Sequence, residues 1–359
     1  MRNVGSPYPR QHFLATALAT RHQQLLAAAI GAAAFLAAVA IVPFARTPLA
    51  PVPSFIPSYE AGLFFIDLFT ALVLFDQFVR LRSAAVLVLA AGYLFDACMI
   101  VPHALTFPGA FFATGLLGAK PQTTAWLYVF WHGGFPFFVM GYALLRRRED
   151  VPLPRVRLAI AAAVAGVVAL AAGLTLLTTV GHDTLPVVMQ GSDYSLLVRK
   201  GISPAVWALT LLALVMLWQK QPRVIDLWLM VVMWVWLFDI ALSAVIGSAR
   251  FDLGFYAGRI FGLVAASFLL ITLLVEMARL YAGALGAAAS AEQRFAELQS
   301  QRGRSGNALR REAPEVFIMR QNVAHYRARL ELTDLDDTQR RSIERLLAEE
   351  EAKLAARGV

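Results

Sequence analysis

Residues 83–107 read SAAVLVLAAGYLFDACMIVPHALTF, and Asp96 is the one residue with a full charge in this run. An α-helix rises 1.5 Å per residue, so about 20 apolar residues cross a hydrocarbon core of roughly 30 Å. Similar runs recur along the chain of 359 residues, which is 58% hydrophobic and 16% charged, with a mean hydropathy of +0.61. Soluble domains carry about 25% charge. The sequence therefore predicts an all-α membrane protein.

The apolar runs predict a polytopic membrane bundle of about eight transmembrane helices, followed by a short cytoplasmic helical hairpin. The first run is longer than the core of a signal peptide, so we interpret it as an uncleaved signal anchor that is also the first span. We place the spans at residues 24–45, 57–79, 83–107, 121–145, 156–180, 203–219, 224–246 and 254–281.

The charges of the connecting loops predict the orientation. With a cytoplasmic N-terminus, twelve Lys and Arg residues fall inside and five outside, the asymmetry expected of an inner-membrane protein. We therefore expect a multi-pass protein of the bacterial inner membrane with both termini in the cytoplasm. The inside residues are Arg2, Arg10, Arg21, Arg80, Arg82, Arg146, Arg147, Arg148, Arg155, Arg157, Lys220 and Arg223, and the outside residues are Arg46, Lys120, Arg199, Lys200 and Arg250.

The net charge of +8 does not indicate a nucleic-acid partner. Residues 283–359 hold 13 Lys and Arg against 12 Asp and Glu, so the soluble tail is close to neutral and the excess lies in membrane loops. We expect membrane lipid as a partner and no nucleic acid. The single cysteine, Cys98, lies in an apolar run, where a buried structural thiol is expected rather than a redox centre.

Ionisable residues inside the spans are candidates for a functional site, because a buried charge costs at least about 2.5–3.5 kcal/mol at the centre of a helix. Counting at 1.5 Å per residue from the cytoplasmic end places Asp67 roughly 18 Å deep, Asp96 and His132 roughly 20 Å, and Asp239 roughly 22 Å. Four helices thus contribute a polar group at similar depth.

The spacing of further ionisable residues extends this group toward the outer side. Asp96 and His103 are seven residues apart and share a helix face, as do Glu60 and Asp67. Arg259 enters the last span at the depth of Glu60 and His103, where it could be a counter-ion. The predicted ligand-sensing residues are Glu60, Asp67, Asp96, His103, His132, Asp239 and Arg259, with no catalytic residue and no metal ligand among them.

Three interpretations of this polar group stay open. Protonated carboxyls could only hold helices together, the group could sense a proton or a ligand, or it could bind a cation. The cofactor is unknown, and haem ligation by His103 and His132 is disfavoured because their depths differ by about 10 Å. Asp76 points away from Asp67 and is excluded from the group.

Two further segments are relevant to the presence of a cavity in the bundle. His132 precedes Gly133, Gly134 and Pro136, a sequence that weakens a helix, and weakened helices in membranes usually border a cavity. The connection at residues 102–122, PHALTFPGAFFATGLLGAKPQ, is apolar and nearly uncharged. It is either a lid folded over the bundle or a loop packed against helix ends.

The tail divides into a flexible linker at residues 283–313 and a helical hairpin at residues 314–359, while residues 1–23 form a cytoplasmic N-terminal segment and residues 24–282 the membrane domain. Asp336 with Gln339 resembles a capping box, and Glu349 with Lys353 is an i,i+4 pair. The apolar stripe is narrow, so we expect homodimerisation or docking of a partner to stabilise the hairpin. The stripe consists of Val316, Met319, Val323, Tyr326 and Leu330.

Three segments resemble the fourth type of the membrane-associated sensor (MASE) domains. They are PFARTPLAPVPSFIPSYE at 43–60, LVLAAGYLFDACMIVPHALTFPG at 87–109 and GLLGAKPQTTAWLYVFWHGGFPFFVMGYALL at 115–145. The resemblance covers roughly residues 20–280. It implies a bacterial input domain of eight membrane helices, which in this family usually precedes a diguanylate cyclase or a histidine kinase.

The tail lacks the features of either output enzyme. No GG[DE]EF-like loop follows residue 282, and His325 lacks the flanking residues of a phospho-acceptor box. We therefore expect a non-enzymatic sensor that signals to a cytoplasmic kinase, cyclase or other signalling partner in trans. The alternative is a proton-coupled transporter or permease built on the same acids, and it is disfavoured because no matching pair of interrupted helices is visible.

Overall fold

The computed structural model describes residues 18–146, 153–219, 221–247, 249–305, 314–331 and 335–358. These residues form helices, turns and isolated bridges, which confirms the all-α class. Most of the N-terminal segment, residues 1–17, lies outside the described residues. The helices are α1 (Arg21–Ile41), α2 (Phe55–Leu81), α3 (Ala84–Thr106), α4 (Thr123–Leu145), α5 (Val156–Thr179), α6 (Ser195–Arg199), α7 (Ile202–Leu217), α8 (Val224–Ile240), α9 (Leu253–Ser305), α10 (Pro314–Leu330) and α11 (Asp337–Ala356). A π-helical turn, Ala241–Ile246, continues α8.

Six of the described helices are long and apolar enough to cross a membrane: α1, α2, α3, α5, α8 with its π-turn, and α9. The chain is therefore a multi-pass membrane protein. Helices α4 and α7 occupy the other two predicted positions. Helix α7 has only 16 residues, and α4, with 23, is less apolar because it contains Trp, Tyr, His, Gly and Pro. A membrane crossing by these two helices, and thus the count of eight, stays a prediction.

Helices α3 and α8 form the centre of the bundle. In their most apolar windows 67% of the residues are buried in the protein, against 11% in α1 and α5. Large apolar side chains such as Leu25 and Phe35 of α1 are exposed. A helix that exposes such residues in a membrane protein faces lipid, whereas polar groups belong in the interior. The site must therefore be sought around α3 and α8.

The connections at residues 45–54, 107–122, 180–201 and 249–252 meet at one end of the bundle, which we call the long-loop end. Backbone hydrogen bonds join them, with Leu49 N donating to Phe251 O at 2.8 Å and Arg250 N to Ser192 O at 2.9 Å. These bonds satisfy backbone groups that would otherwise be unpaired near the membrane. The long-loop end is consequently a structured cap rather than a set of free loops.

The apolar connection between α3 and α4 combines a packed start with an exposed tip. Phe107 is buried and packs with Ile56 and Phe255. Phe111 and Phe112 at the tip are 53% and 60% exposed. The start of the connection thus packs against helix ends, while the tip does not cover the bundle.

At the opposite, short-loop end, a buried ion pair joins α4 and α8. Arg146, directly after α4, contacts Asp226 in the first turn of α8, and the two side chains are 2% and 0% exposed. Tyr142 Oη donates to Asp226 Oδ1 at 2.5 Å, and Arg146 Nη2 donates to Leu217 O at 3.1 Å. By sequence alone Arg146 is a loop charge, and no local pattern indicates this pair.

Helix α4 continues without a break through Pro136, contrary to the interpretation of a weakened helix. A Cβ atom added at Gly134 would lie 2.5 Å from Phe95 Cε1, so this glycine admits the Phe95 ring between the helices. Gly133 and Gly134 line an open pocket of apolar side chains, and His132 does not line it. The glycines therefore serve helix packing, and the cavity beside them is apolar.

Residues 284–359 form a second compact unit. Helices α10 and α11 pair antiparallel, with Asn322 Nδ2 donating to Glu350 Oε2 at 3.2 Å and Arg327 Nη2 to Glu351 Oε1 at 2.7 Å. The capping box at the start of α11 is confirmed. So is the Glu349–Lys353 pair, whose charged atoms lie 3.0 Å apart. This pairing is the hairpin geometry that the sequence predicts.

The hairpin has a small core, and the segment before it differs from expectation. Val316 and Val323 are buried in α10, while no residue of α11 is buried. Helix α9 continues to Ser305 through most of the segment expected as a flexible linker, because residues 282–291, AGALGAAASA, are rich in the strongest helix former. The remaining linker residues, 306–313, lie outside the described residues.

Candidate functional site

Glu60 and His103 form a buried pair at the long-loop end. Glu60 lies in the first turns of α2 and His103 in the last turn of α3, and His103 Nδ1 is 2.7 Å from Glu60 Oε1. Their side chains are 1% and 3% exposed. Glu60 Oε2 has no hydrogen-bond partner among the described residues. A carboxyl group and an imidazole at this distance form a hydrogen bond. The structure thus brings together two residues that the sequence places at one depth.

A second pair, His132 and Asp239, joins α4 to α8. His132 Nε2 lies 3.4 Å from Asp239 Oδ2, and His132 Nδ1 lies 3.0 Å from the Tyr128 carbonyl oxygen. The side chains of both residues are nearly fully buried. Ser243 Oγ, in the π-turn, is 3.2 Å from Asp239 Oδ1 and 2.9 Å from Tyr128 Oη. The pair is therefore part of a polar network that reaches the π-turn.

The hydrogen bond of His132 to Tyr128 limits how His132 can meet Asp239. A carbonyl oxygen only accepts, so Nδ1 of His132 donates to Tyr128. In a neutral imidazole Nε2 is then an acceptor and would face another acceptor, an ionised Asp239. The contact is favourable when either His132 or Asp239 carries an additional proton. The charge of the His132–Asp239 pair consequently affects the contact between α4 and α8.

Helix α9 touches the carboxyl group of Asp239 through two glycines that the sequence reasoning missed. A Cβ added at Gly258 would lie 2.9 Å from Asp239 Oδ1, and one at Gly262 would lie 2.8 Å from Asp239 Oδ2 and 3.0 Å from Tyr59 Oη. The segment GRIFG, 258–262, has the small-xxx-small spacing that allows membrane helices to approach closely. That motif is the signal that could have pointed to this contact.

Asp67 and Asp96 form the third part of the site, between α2 and α3. Both are buried, and they are close enough to interact electrostatically with each other and with Tyr93. Neither oxygen of Asp96 has a hydrogen-bond partner among the described residues, and neither has Trp131 Nε1, which lies near it. Buried carboxyl oxygens without a donor are costly, and the Trp131 indole is close enough to Asp96 to interact with it electrostatically.

Arg259 lies near these groups without pairing with them. Its Nη1 donates to the Phe255 carbonyl oxygen at 3.0 Å, and its guanidinium carbon lies 3.5 Å from the centre of the Phe255 ring. Within the described ranges no carboxylate oxygen lies within 4.0 Å of it. Glu60, for which the sequence suggested Arg259 as a counter-ion, pairs with His103 instead.

The predicted residues thus form neighbouring pairs rather than one cluster. In the part of the chain that the structure describes, no three His, Cys, Asp or Glu side chains gather as metal ligands would. Asp76 lies apart, in an exposed pair with Arg80 whose charged atoms are 3.0 Å apart. The site thus consists of buried polar pairs at helix interfaces, with Glu60–His103 joining α2 to α3 and His132–Asp239 joining α4 to α8.

The membrane bundle matches a known protein family. A family model described as membrane-associated sensor, integral membrane domain, MASE4, matches residues 50–281. The chain belongs to the MASE4 family. No curated protein and no solved structure matches the chain. The matched residues include all seven predicted site residues, so the three pairs lie inside the MASE4 domain. The resemblance seen in the sequence is confirmed, and a sensory role in the membrane follows from it.

Proposed function

We propose that this MASE4 protein senses a proton or a polar ligand at the buried pairs and passes the signal along α9 to its tail. The tail then acts on a separate cytoplasmic partner. The observation that carries this proposal is the position of Asp239, which contacts His132 on one side and the glycine face of α9 on the other. A change of charge at Asp239 therefore acts directly on α9.

The π-turn provides the means for such a change to move a helix. Ser243 Oγ donates to the backbone carbonyl of Asp239 at 2.7 Å and also contacts its side chain. A π-turn is less stable than regular α-helix and commonly occurs at functional sites. Deprotonation of the His132–Asp239 pair would place two acceptors face to face, and the π-turn and α9 can relieve this by shifting.

The tail suits a role in docking. Helix α11 buries none of its described residues, and Ile318 on α10 is 51% exposed. A hairpin with so small a core gains stability when a second surface covers it. A second copy of the chain, or a kinase, a cyclase or another signalling protein, would provide that surface in trans.

The coupling is tested with the full chain in lipid nanodiscs. An environment-sensitive fluorophore is attached at Ile318→Cys after Cys98→Ser removes the native thiol. Asp239→Asn keeps the shape of the carboxyl but fixes it neutral, so we expect a shifted emission of the tail label and a loss of its pH response. Asp76→Asn, which neutralises an acid in an exposed pair, is the matched control and should leave both unchanged.

Two outcomes contradict the proposal. Identical emission from the Asp239→Asn and unmodified proteins would show that the tail does not respond to the site. Equal shifts in Asp239→Asn and Asp76→Asn would show a general effect of charge. The orientation is tested separately with reporters fused after residue 282, where a cytoplasmic reporter should be active and alkaline phosphatase inactive. The reverse activities would place the tail outside.

A further inference from the structure

A pocket at the long-loop end is lined by two arginines without carboxylate partners. Arg250, in the loop before α9, and Arg259, in the second turn of α9, line a small pocket of about 40 Å³ together with His103, Tyr128, Tyr194 and Ser243. The aromatic side chains of Phe107 and Phe255 also line it. The pocket thus adjoins the two acid–imidazole pairs of the candidate site.

Among the described residues the two guanidinium groups have few acceptors. Arg250 Nη2 lies 3.4 Å from the Met189 sulfur, and its guanidinium carbon lies 4.8 Å from the centre of the Phe107 ring. Arg259 has the Phe255 carbonyl and ring. Each guanidinium offers five N–H donors in a planar fork, so most donors at this pocket are available to a ligand.

The two charges also repel each other. Burial, followed by the charge of Arg259, lowers the pKa of Arg250 to about 10, so it is still cationic at neutral pH. The nearest acids are engaged elsewhere: Asp252 accepts Phe255 N at 2.7 Å, Asp239 faces Ser243 and His132, and Glu60 pairs with His103. Among the described residues none of these carboxylates lies within 4.0 Å of either guanidinium.

Tyr194 provides an independent sign of a ligand. Its side chain lines the pocket and is only 6% exposed, and its hydroxyl group has no hydrogen-bond partner among the described residues. A buried hydroxyl without a partner is rare, because leaving it unpaired costs about 1–3 kcal/mol. An acceptor brought by a ligand would satisfy it together with the two guanidinium forks.

We propose that the pocket between Arg250 and Arg259 binds a small oxyanion, a carboxylate or a phosphate group, that enters from the long-loop end. The oxyanion accepts hydrogen bonds from both guanidinium groups and from Tyr194 Oη, and the apolar part of the ligand lies against Phe107 and Phe255. A role of this ligand as the stimulus of the sensor rests on the proposed function. Its binding to the pocket does not.

Binding is tested on the full chain in nanodiscs of phosphatidylcholine. The melting temperature is measured with sodium succinate and with sodium phosphate, against sodium chloride at equal ionic strength. We expect a saturable rise of about 2–4 °C or more with at least one of the two anions. Arg250→Gln and Arg259→Gln should each weaken binding by roughly tenfold to a hundredfold, the loss expected for charge-assisted hydrogen bonds.

Two further variants separate the pocket from general effects. Arg199→Gln removes a cation of the same end that is exposed and hydrogen-bonded to Ser195, and it should bind as the unmodified protein does. Tyr194→Phe removes one oxygen and leaves the packing intact, so it reports on the site even where an arginine variant fails to fold. It should weaken binding by about threefold to tenfold.

The outcomes show whether the anion is a free solute or a lipid headgroup. They also separate anion binding from the proposed sensory function. A rise that needs phosphatidylglycerol in the nanodisc, and is lost in Arg250→Gln and Arg259→Gln, assigns the same site to a lipid headgroup. No rise with either anion or with the anionic lipid overturns the proposal, as does a rise that is equal in all four variants. Binding without a response of the tail label would keep this site and remove its sensory role.

Discussion

The two ends of the bundle bury arginines in opposite ways. At the short-loop end Arg146 contacts Asp226, and Tyr142 donates a hydrogen bond to the same carboxylate. At the long-loop end Arg250 and Arg259 face a pocket with aromatic rings, a thioether and one carbonyl as their only described partners. One end therefore neutralises its buried charge within the chain, and the other leaves positive charge for something outside it.

This difference separates structural charge from functional charge. Taking an arginine out of water costs several kcal/mol, and a partner carboxylate with good geometry offsets that cost. A chain that retains a buried arginine, Arg259, and a half-buried one, Arg250, without such partners gives up stability, and this occurs mainly where a ligand or a partner supplies the missing charge. The same difference between the two ends predicts how strongly mutations at each end change the free energy of unfolding.

The largest effect is expected at the short-loop end. Asp226→Asn leaves the Arg146 cation buried without a counter-ion and should cost about 3–5 kcal/mol of the free energy of unfolding. Melting in detergent measures it. The double variant Arg146→Met, Asp226→Leu removes both charges and should recover most of the loss. An Asp226→Asn protein that melts like the unmodified one would contradict a structural role for this pair.

A smaller loss is expected where α9 approaches Asp239. In Gly262→Ala the new Cβ would lie 2.8 Å from Asp239 Oδ2, so the helices must separate, at about 1–3 kcal/mol. Gly283→Ala on the same helix meets no atom within 4 Å and should be neutral or slightly stabilising. The melting temperatures of the two variants are compared. Equal values would show that α9 does not hold the position against Asp239 described above.

At the pocket, loss of an arginine should not destabilise the protein. Arg259→Gln, measured without added anion, removes an unpaired buried charge and should leave the free energy of unfolding unchanged to within about 1 kcal/mol, or raise it. This is the reverse of Asp226→Asn, although both remove one charge from the same bundle. A loss as large as that of Asp226→Asn would show that Arg259 is structural, and the contrast between the two ends would disappear.

The smallest effect concerns the tail, where the charges are exposed. Lys353, then Asn322, lowers the pKa of Glu350 below its ordinary 4.5, so this stabilisation is complete above pH 4.5 and is lost as the pH falls through the lowered pKa. Glu350, then Glu349, raises the pKa of Lys353 above 10.5, so its contribution is present below pH 10.5 and lost above it. Circular dichroism of residues 314–359 should show slightly lower helicity at both extremes.

Two controls complete that experiment. Glu350→Gln should remove the acid-side change, and a rise of helicity on acidification would contradict the assignment. The same peptide should become more helical as its concentration increases, because α11 buries none of its described residues. A monomer with full helicity at all concentrations would exclude the need for a second surface.

Much of the fold follows from the pattern and length of the apolar runs. These depend on the surrounding solvent rather than on the neighbouring helices. Helices occupy all eight predicted span positions, because a hydrocarbon environment requires every backbone group to be paired within its own helix. The capping box at Asp336 is equally local, since donor and acceptor are three residues apart. The prediction of a flexible linker from residue 283 is wrong as far as Ser305, because an alanine-rich helix and a flexible segment have similar composition.

The sequence by itself determined the membrane class, the family and the positions of the acids along their helices. Only the tertiary structure decided their partners. Depth along a helix is a one-dimensional count, so it placed Asp96 beside His132 and Arg259 beside Glu60, whereas rotation about each helix axis pairs His132 with Asp239 and His103 with Glu60. The arginine pocket depends on loops that meet far apart in sequence, and no local pattern encodes where an unpaired charge will face.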